Sequence, residues 1–207
     1  MRAYRAKDMA DSKADLLAGA GGLVTDEAQS DHQGRKALLL VRNNEDCDEF
    51  IALAKTMGIN IVDRVDQRGR SDAKWFLGQG KLQDVTEELR SASHGHPWNG
   101  VNLLLLHTNA TPRQLVGVND AVGIEVWDRV RLLLALFTAH ASSVEARTQV
   151  RIARLQSDRT VLREVVKQQT TGERAGYGGA GQTAAGSVLT NVNRELAALR
   201  KRQRKQV

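Results

Sequence analysis

The chain has 207 residues, of which 41% are hydrophobic, 26% charged and 4% aromatic, so it forms one domain of ordinary size or two small ones. Two prolines are too few for a loop-rich all-β protein, and a single cysteine excludes a disulfide framework and a cysteine-based zinc cluster. No apolar run is long enough to span a membrane, and the first residues hold no signal-peptide core. We therefore expect a cytoplasmic protein of the helical or α/β class.

The net charge of +6 is concentrated in the last third of the sequence. Residues 143–207 carry 13 basic and 5 acidic side chains, residues 35–142 carry equal numbers of each, and residues 1–34 are net acidic. A basic segment attached to a neutral body is typical of a protein that binds a polyanion. A solvated helix surface has the same composition, so the charge alone leaves both interpretations open.

The first two thirds of the sequence alternate short apolar runs with amphipathic segments. We predict strands at 37–41, 59–65, 101–106 and 124–127. Between the first two strands we predict a helix that is capped by Asn43 or Asn44 and ends at Gly58. A loop at 66–73 and a helix at about 81–92 follow, and a further helix runs from Thr111 and Pro112 to Gly123. This alternation predicts an α/β fold, with a small parallel β-sheet and flanking helices.

The pattern changes after Asp128. From there to about Gln169 the chain has no glycine or proline, and apolar residues recur at three- and four-residue steps. Six glycines follow within 171–186, and then a second helical pattern begins. Helix, glycine-rich tip and helix predict a long antiparallel α-helical hairpin of the coiled-coil type. We divide the chain into a poorly ordered leader at 1–34, an α/β domain at 35–127 and a basic hairpin at 128–207.

Basic side chains of the first hairpin helix are the candidate contacts to RNA phosphates, because guanidinium groups are planar bidentate donors. Helical spacing places three of them along one side and three more on a neighbouring stripe. The two sets are Arg147, Arg151 and Arg154, and Arg159, Arg163 and Lys167. A protein-binding adaptor that uses the amphipathic hairpin is the alternative, and it would bind with weak salt dependence.

The glycine-rich tip is a second candidate RNA contact. Glycines let the backbone approach RNA closely, and an aromatic ring can stack on an exposed base. The residues concerned are Gly176, Gly178, Gly179 and Gly181, with Arg174 and Tyr177. A hairpin of helices closes with about two to five linking residues, so the length of this segment favours a function over a plain turn.

A Gly-x-Gly-Lys turn made by Gly78, Gly80 and Lys81 is a candidate nucleotide site. At a helix N-terminus its amides and its lysine could meet a phosphate, whereas the structural alternative is a tight turn with Lys81 in solvent. No G-x-x-x-x-G-K-[ST] sequence occurs, so the chain encodes no P-loop. We predict no metal site, since His94 and His96 lie in a loop segment without carboxylates.

Four segments carry a resemblance to a known family through their order and spacing: 76–81 (FLGQGK), 126–137 with its Trp-Asp-Arg, the start of the long helix at 141–155, and 172–183 with its glycines. Together they resemble the N-terminal region of the HflX family of ribosome-associated GTPases. The resemblance runs from about residue 37 to the C-terminus. The joint order of the four segments is more specific than any one motif.

The resemblance implies binding to the large ribosomal subunit and its rRNA, with the tip reaching toward the peptidyl-transferase centre. In complete family members it implies GTP-dependent ribosome splitting or rescue. GTP and magnesium are expected only with a GTPase domain, present in cis or in trans, so we expect no cofactor in this chain alone. The resemblance also implies an alternative function, adenine-nucleotide binding with NTPase activity at the Gly78–Lys81 turn, with ATP as the ligand.

The chain ends at a basic run about where the family's GTPase domain would begin, so we expect either a fragment or a paralogue without that domain. It also departs from the family pattern. Arg151 stands where an acidic residue is usual, Gln182 where glutamate is frequent, and Ala180 where bacterial members commonly carry proline. These differences make the hairpin more basic and argue against a role for a carboxylate at the tip.

Overall fold

The computed structural model describes residues 32–173 and 184–204. Strands and helices alternate in the first part of this range, and the last part is entirely helical. The elements in chain order are β1 (Lys36–Arg42), α1 (Asp48–Thr56), β2 (Asn60–Gln67), α2 (Gln79–Ser91), β3 (Leu103–Leu106), α3 (Pro112–Val122), β4 (Glu125–Trp127), α4 (Arg129–His140), α5 (Val144–Glu173) and α6 (Ala184–Arg204).

The four strands form one parallel sheet in the order β2-β1-β3-β4. Successive side chains of a strand point to opposite faces, so β1 and β3 supply two cores. Leu38, Leu40 and Leu104 pack on the side of α2 and α3, and Leu39 and Leu105 pack on the side of α1 and α4. Because both faces are covered, the central strands are continuous apolar runs. The predicted α/β fold with a small parallel sheet is confirmed.

The predicted ends of two helices are confirmed by their caps. The Thr111 side chain accepts a hydrogen bond from the backbone N–H of Gln114, and the side-chain oxygen of Gln114 accepts one from the Thr111 N–H. Pro112 occupies the first turn. Gly123 ends α3 at φ +79°, and Gly58 follows α1 at φ +74°. Both glycines occupy the left-handed region that side chains disfavour.

The predicted cap of α1 is wrong. Asn43 and Asn44 both have positive φ, 55° and 52°, and form a turn after β1. The Asn43 side chain accepts a hydrogen bond from the N–H of Gly69, and Asn44 accepts one from Arg64. The helix begins at Asp48, with Cys47 in the cap position. Asparagine suits left-handed turns as well as caps, and the sequence does not separate these uses.

The helical segment predicted from Asp128 to about Gln169 consists of two helices. α4 ends at His140, and α5 begins after Ser143, whose hydroxyl accepts a hydrogen bond from the N–H of Ala146 at 3.0 Å. Leu132 of α4 is fully buried beside the sheet. The helical hairpin therefore consists of α5 and α6, and α4 covers the sheet.

Residues 1–31 of the predicted leader lie outside the described residues. His32 is buried edge-on against the ring of Trp127, with 5.0 Å between the ring centroids. The N–H of Gly34 donates to the carbonyl of Gly58 at 2.9 Å. The packed body therefore includes the chain from residue 32 onward.

Candidate nucleic-acid interface

The two hairpin helices pack along an apolar seam. Ile152, Leu155 and Leu162 of α5 bury themselves with Val192 and Leu196 of α6. The helices run antiparallel, because Arg151 near the start of α5 pairs with Glu195 far along α6, while Val165 shares a core with Ala185 at the start of α6. This arrangement confirms the predicted pair of long helices.

The middle of α5 also rests on the α/β body. Val161 and Val165 are 2% and 3% exposed and belong to the same core as Leu115 and Val116 of α3. The hairpin therefore packs on α3 and α4 along part of α5 and does not extend into solvent over its whole length. Because α5 packs on α6 and on the α/β body, its remaining, solvent-facing side has a fixed orientation.

The two predicted stripes of cations have different environments. Arg163 and Lys167, on the second stripe, are exposed and lie one helical turn apart. Arg147, on the first stripe, is also exposed, but it lies 16 residues before Arg163, about 24 Å along the helix axis. The exposed cations of α5 therefore form two separate positions and not one continuous stripe.

The other three predicted cations are half-buried. The Nε of Arg151 donates to Oε1 of Glu195, which joins α5 to α6. Burial lowers the pKa of Arg154, and the neighbouring Asp158 opposes that shift. Arg159 lies next to Asp158 on the same helix. Because Arg151, Arg154 and Arg159 are half-buried, they are less accessible to RNA than Arg147, Arg163 and Lys167.

A buried charge cluster lies where α4 meets α5. Arg131 and Asp158 are 4% and 6% exposed, and Nη2 of Arg131 lies 3.5 Å from Oδ1 of Asp158. Burial raises the pKa of Asp158 to about 7, although the guanidinium groups of Arg131 and Arg154 act in the opposite direction. Asp128 caps α4 by accepting a hydrogen bond from the Arg131 N–H, and burial raises its pKa as well. Neither Asp158 nor Arg131 stands out in the sequence as a candidate site residue.

The predicted contacts at the tip lie outside the described residues, because the structure describes α5 up to Glu173 and resumes at Ala184. This applies to Arg174, Gly176, Tyr177, Gly178, Gly179 and Gly181. Their predicted contact with RNA stays a prediction.

The Gly78–Lys81 turn lies at the N-terminus of α2, and its first amide is not free to bind a phosphate. Gly78 is the cap residue of α2, and its N–H donates to the side-chain oxygen of Gln67 at 2.6 Å, so this amide is already engaged. Gly80 lies inside the first turn of α2, and both Gly80 and Lys81 are exposed. Neither glycine has a positive φ. The residue with φ +62° is Phe76, so the tight turn lies just before the glycines.

A surface groove of about 290 Å³ lies along α2, close to this turn. Trp75, Leu82 and Ala121 supply its apolar lining. Its polar lining comes from Gln79, Gln83, Thr86, Glu87 and Arg90. The groove is at the lower limit of the size of small-molecule sites. Lys81 is not among its lining residues.

One set of exposed cations was not predicted as a site. Arg200, Lys201, Arg202 and Arg204 lie on the last turns of α6, at the end of the hairpin away from the tip. Their signal was present in the sequence as a dense basic run. This run contributes to the basic charge of residues 143–207 and marks the place where a further domain is expected. The antiparallel pairing that brings it beside α5 is visible only in the structure.

No group of three or more histidine, cysteine, aspartate or glutamate side chains within 32–173 and 184–204 is arranged to hold a metal ion. In the same ranges, no helix has the length and the apolar character that a membrane crossing requires.

Comparison with known proteins connects this fold to GTP-binding proteins. Residues 44–138 match the family described as GTP-binding GTPase N-terminal. GTPase HflX from Hyperthermus butylicus is 30% identical over 161 residues, which cover 74% of this chain and 42% of that protein. GTPase HflX from Methanocaldococcus jannaschii is 28% identical over 158 residues, which cover 76% of this chain and 37% of that protein.

Solved structures show the same fold. A GTP-binding protein from Sulfolobus solfataricus, determined in complex with GDP, superposes with a TM-score of 0.53 at 21% sequence identity, and the match covers 80% of this chain and 46% of that protein. The structure described as SsGBP in complex with GDP gives a TM-score of 0.55 at 19% identity, over 84% of this chain and 46% of that one.

The parallel sheet, the long helical hairpin and the family match define an N-terminal domain of a GTP-binding protein. The chain carries the N-terminal domain of the HflX family of GTPases, as the sequence resemblance implied. It spans between 37% and 42% of the length of the two HflX proteins compared above.

Proposed function

We propose that this chain is the RNA-binding, ribosome-directed part of an HflX-type protein in the cytoplasm. In this proposal the hairpin contacts rRNA of the large ribosomal subunit, and its glycine-rich tip reaches toward the functional centre. GTP-dependent splitting or rescue of ribosomes would require a GTPase domain with bound GTP and magnesium, in cis or in trans. This chain would supply the contacts that dock the protein on the large ribosomal subunit.

The observation that carries the proposal is the exposed pair Arg163 and Lys167 on a firmly held helix. The opposite side of α5 is packed on the body through Val161 and Val165, so the two cations stand on a rigid support. Preorganised cations lose less conformational entropy when they bind phosphates than cations on a flexible tail. The excess of basic residues in 143–207 supplies the long-range attraction.

Replacing Arg163 and Lys167 with glutamine is expected to weaken binding to isolated large ribosomal subunits several-fold at moderate salt. Each lost phosphate contact should reduce the slope of log affinity against log salt by about 1. The measurement is co-sedimentation across a salt series. The matched control is Lys55→Gln with Arg68→Gln, which removes the same charge from exposed positions of the body. Equal losses in both double variants would contradict a contact at α5.

The second candidate function is adenine-nucleotide binding with NTPase activity, and the groove along α2 is the observation that favours it. Its apolar lining, which includes Trp75, could pack against a base, and Arg90 could donate hydrogen bonds to a phosphate. The engaged amide of Gly78 does not support a phosphate at the turn itself.

Replacing Lys81 with alanine tests the turn as a nucleotide site without altering the hairpin. We expect this variant to bind large ribosomal subunits as the unaltered chain does, because Lys81 is exposed on α2, in a different element from the hairpin. Titration with ATP, followed by calorimetry, checks the alternative. Binding of ATP to the unaltered chain that is lost in the Lys81 variant would favour nucleotide binding at the turn and would contradict our interpretation of it.

A further inference from the structure

A compact set of cations lies at the end of the hairpin away from the tip. Arg200, Lys201, Arg202 and Arg204 are all exposed on the last turns of α6. Between 197 and 204 the helix exposes no large apolar side chain, since Leu199 is turned into the seam with α5. This part of the surface is therefore almost purely cationic.

The antiparallel pairing brings a fifth cation to this set. Arg151 of α5 lies beside Glu195 of α6. Because the helices are antiparallel, the residue one turn before Arg151 on α5 lies beside the residue one turn after Glu195 on α6. Arg147 is thus level with Leu199, next to the cationic turns. Its guanidinium is exposed and is held by a 2.8 Å hydrogen bond to the carbonyl of Ser142. We call Arg147, Arg200, Lys201, Arg202 and Arg204 the hairpin base.

The stability of α6 does not account for all the positive charge of the hairpin base. Cations near a helix C-terminus are stabilised by the dipole, but Arg200 and Arg204 are four residues apart and repel each other. Glu195, the nearest acidic side chain on α6, is paired with Arg151. An anionic partner such as a nucleic-acid backbone would relieve this repulsion.

We propose that the hairpin base binds the phosphate backbone of folded RNA, as a contact separate from Arg163, Lys167 and the tip. This inference rests on the RNA-binding function proposed above. Four of its five cations are arginines, whose fork-shaped donors bind phosphate oxygens in pairs. The base lies about 24 Å along α5 from Arg163, so the two positions contact different backbone segments.

The test compares two charge-matched variants of the full chain. The first replaces Arg200, Lys201, Arg202 and Arg204 with glutamine. The control replaces four exposed cations of the body, Lys55, Arg68, Lys81 and Arg113. Each is titrated with isolated large ribosomal subunits, with a 20-base-pair RNA duplex, and with vesicles containing phosphatidylserine. Circular dichroism checks that α6 stays helical. A further variant, in which Arg200, Arg202 and Arg204 are replaced by lysine, keeps the positive charge and serves as the rescue.

We expect the base variant to lose at least tenfold in affinity for subunits and duplex, with a salt slope lower by about 3, and the control to lose much less. The lysine variant should recover most of the affinity. Unchanged RNA binding in the base variant would overturn the inference, as would tighter binding to vesicles than to the duplex. If the unaltered chain binds the duplex through the base but does not bind subunits, the ribosomal function fails and this inference stands. If it binds neither RNA, both fail.

Discussion

Replacing Arg131 with alanine is expected to destabilise the protein by about 2–3 kcal/mol at pH 6 and by about 4 kcal/mol at pH 8. Arg131 is 4% exposed, so its truncation leaves a cavity between α4 and α5 at any pH. The additional loss at high pH arises because the buried Asp158 carboxylate loses a guanidinium partner.

The sign of the pH dependence follows from the pKa of Asp158. In the folded protein that pKa is raised from 3.8 to about 7, mainly by burial. The contribution of Asp158 to stability is therefore largest below about pH 4 and decreases as the pH rises to 7. Without Arg131 the pKa rises further, so the decrease continues above pH 7, by at most about 1.4 kcal/mol per pH unit. Burial also raises the pKa of Asp128, and the Arg131 guanidinium opposes that shift, so the substitution raises the pKa of Asp128 in the same direction.

Urea unfolding of both proteins between pH 5 and pH 9 measures this difference. The control is the same substitution made together with Asp158→Asn, which removes the Asp158 carboxylate and leaves that of Asp128. In that background, the loss caused by Arg131→Ala should depend much less on pH. A loss that is independent of pH in the presence of Asp158 would show that the two side chains are not coupled.

Gly117→Ala is expected to cost about 2–3 kcal/mol, although alanine normally favours a helix. A Cβ at position 117 would lie 2.3 Å from the carbonyl oxygen of Lys74 and 2.9 Å from its Cγ. The turn that contains Lys74 cannot move away easily. The Asp72 side chain accepts hydrogen bonds from the N–H groups of Lys74 and Trp75, and Gln114 of α3 donates to the Asp72 carbonyl.

Gly80→Ala in α2 is the matched control for this substitution. No atom lies within 4 Å of a Cβ built at Gly80, so alanine there should stabilise the protein by about 0.5 kcal/mol. Equilibrium unfolding of the two variants in urea gives both values. Stabilisation by Gly117→Ala would contradict the close approach of α3 to the Lys74 turn.

The fold was predictable where local chemistry and periodicity agreed. The apolar runs of β1 and β3, the Thr111–Pro112 start of α3 and the glycine at 123 each define an element or its end, and the structure has them there. The errors lie where one residue type serves two uses. Asn43 looks like a helix cap but occupies a left-handed turn, and the break before Ser143 contains no glycine or proline.

The candidate site was less predictable, because helical spacing does not reveal which face of α5 is covered. Arg151 and Arg163 look alike in the sequence. One is paired with Glu195 inside the hairpin and the other is exposed, and this difference depends on how α6 and the body pack on α5. The hairpin base and the buried Asp158 also depend on tertiary packing. Charge along the chain predicts a partner class, whereas the packing decides which cations can reach it.

Sedimentation of the chain with isolated large ribosomal subunits, across a series of salt concentrations, tests the central claim most directly. Binding through several phosphate contacts predicts co-sedimentation at low salt, with log affinity falling linearly in log salt and a slope that reflects the number of contacts. No co-sedimentation at low salt would contradict the claim that the hairpin is directed to the ribosome. Binding that does not change with salt would also contradict it, because that result indicates a protein-to-protein contact made by the hairpin.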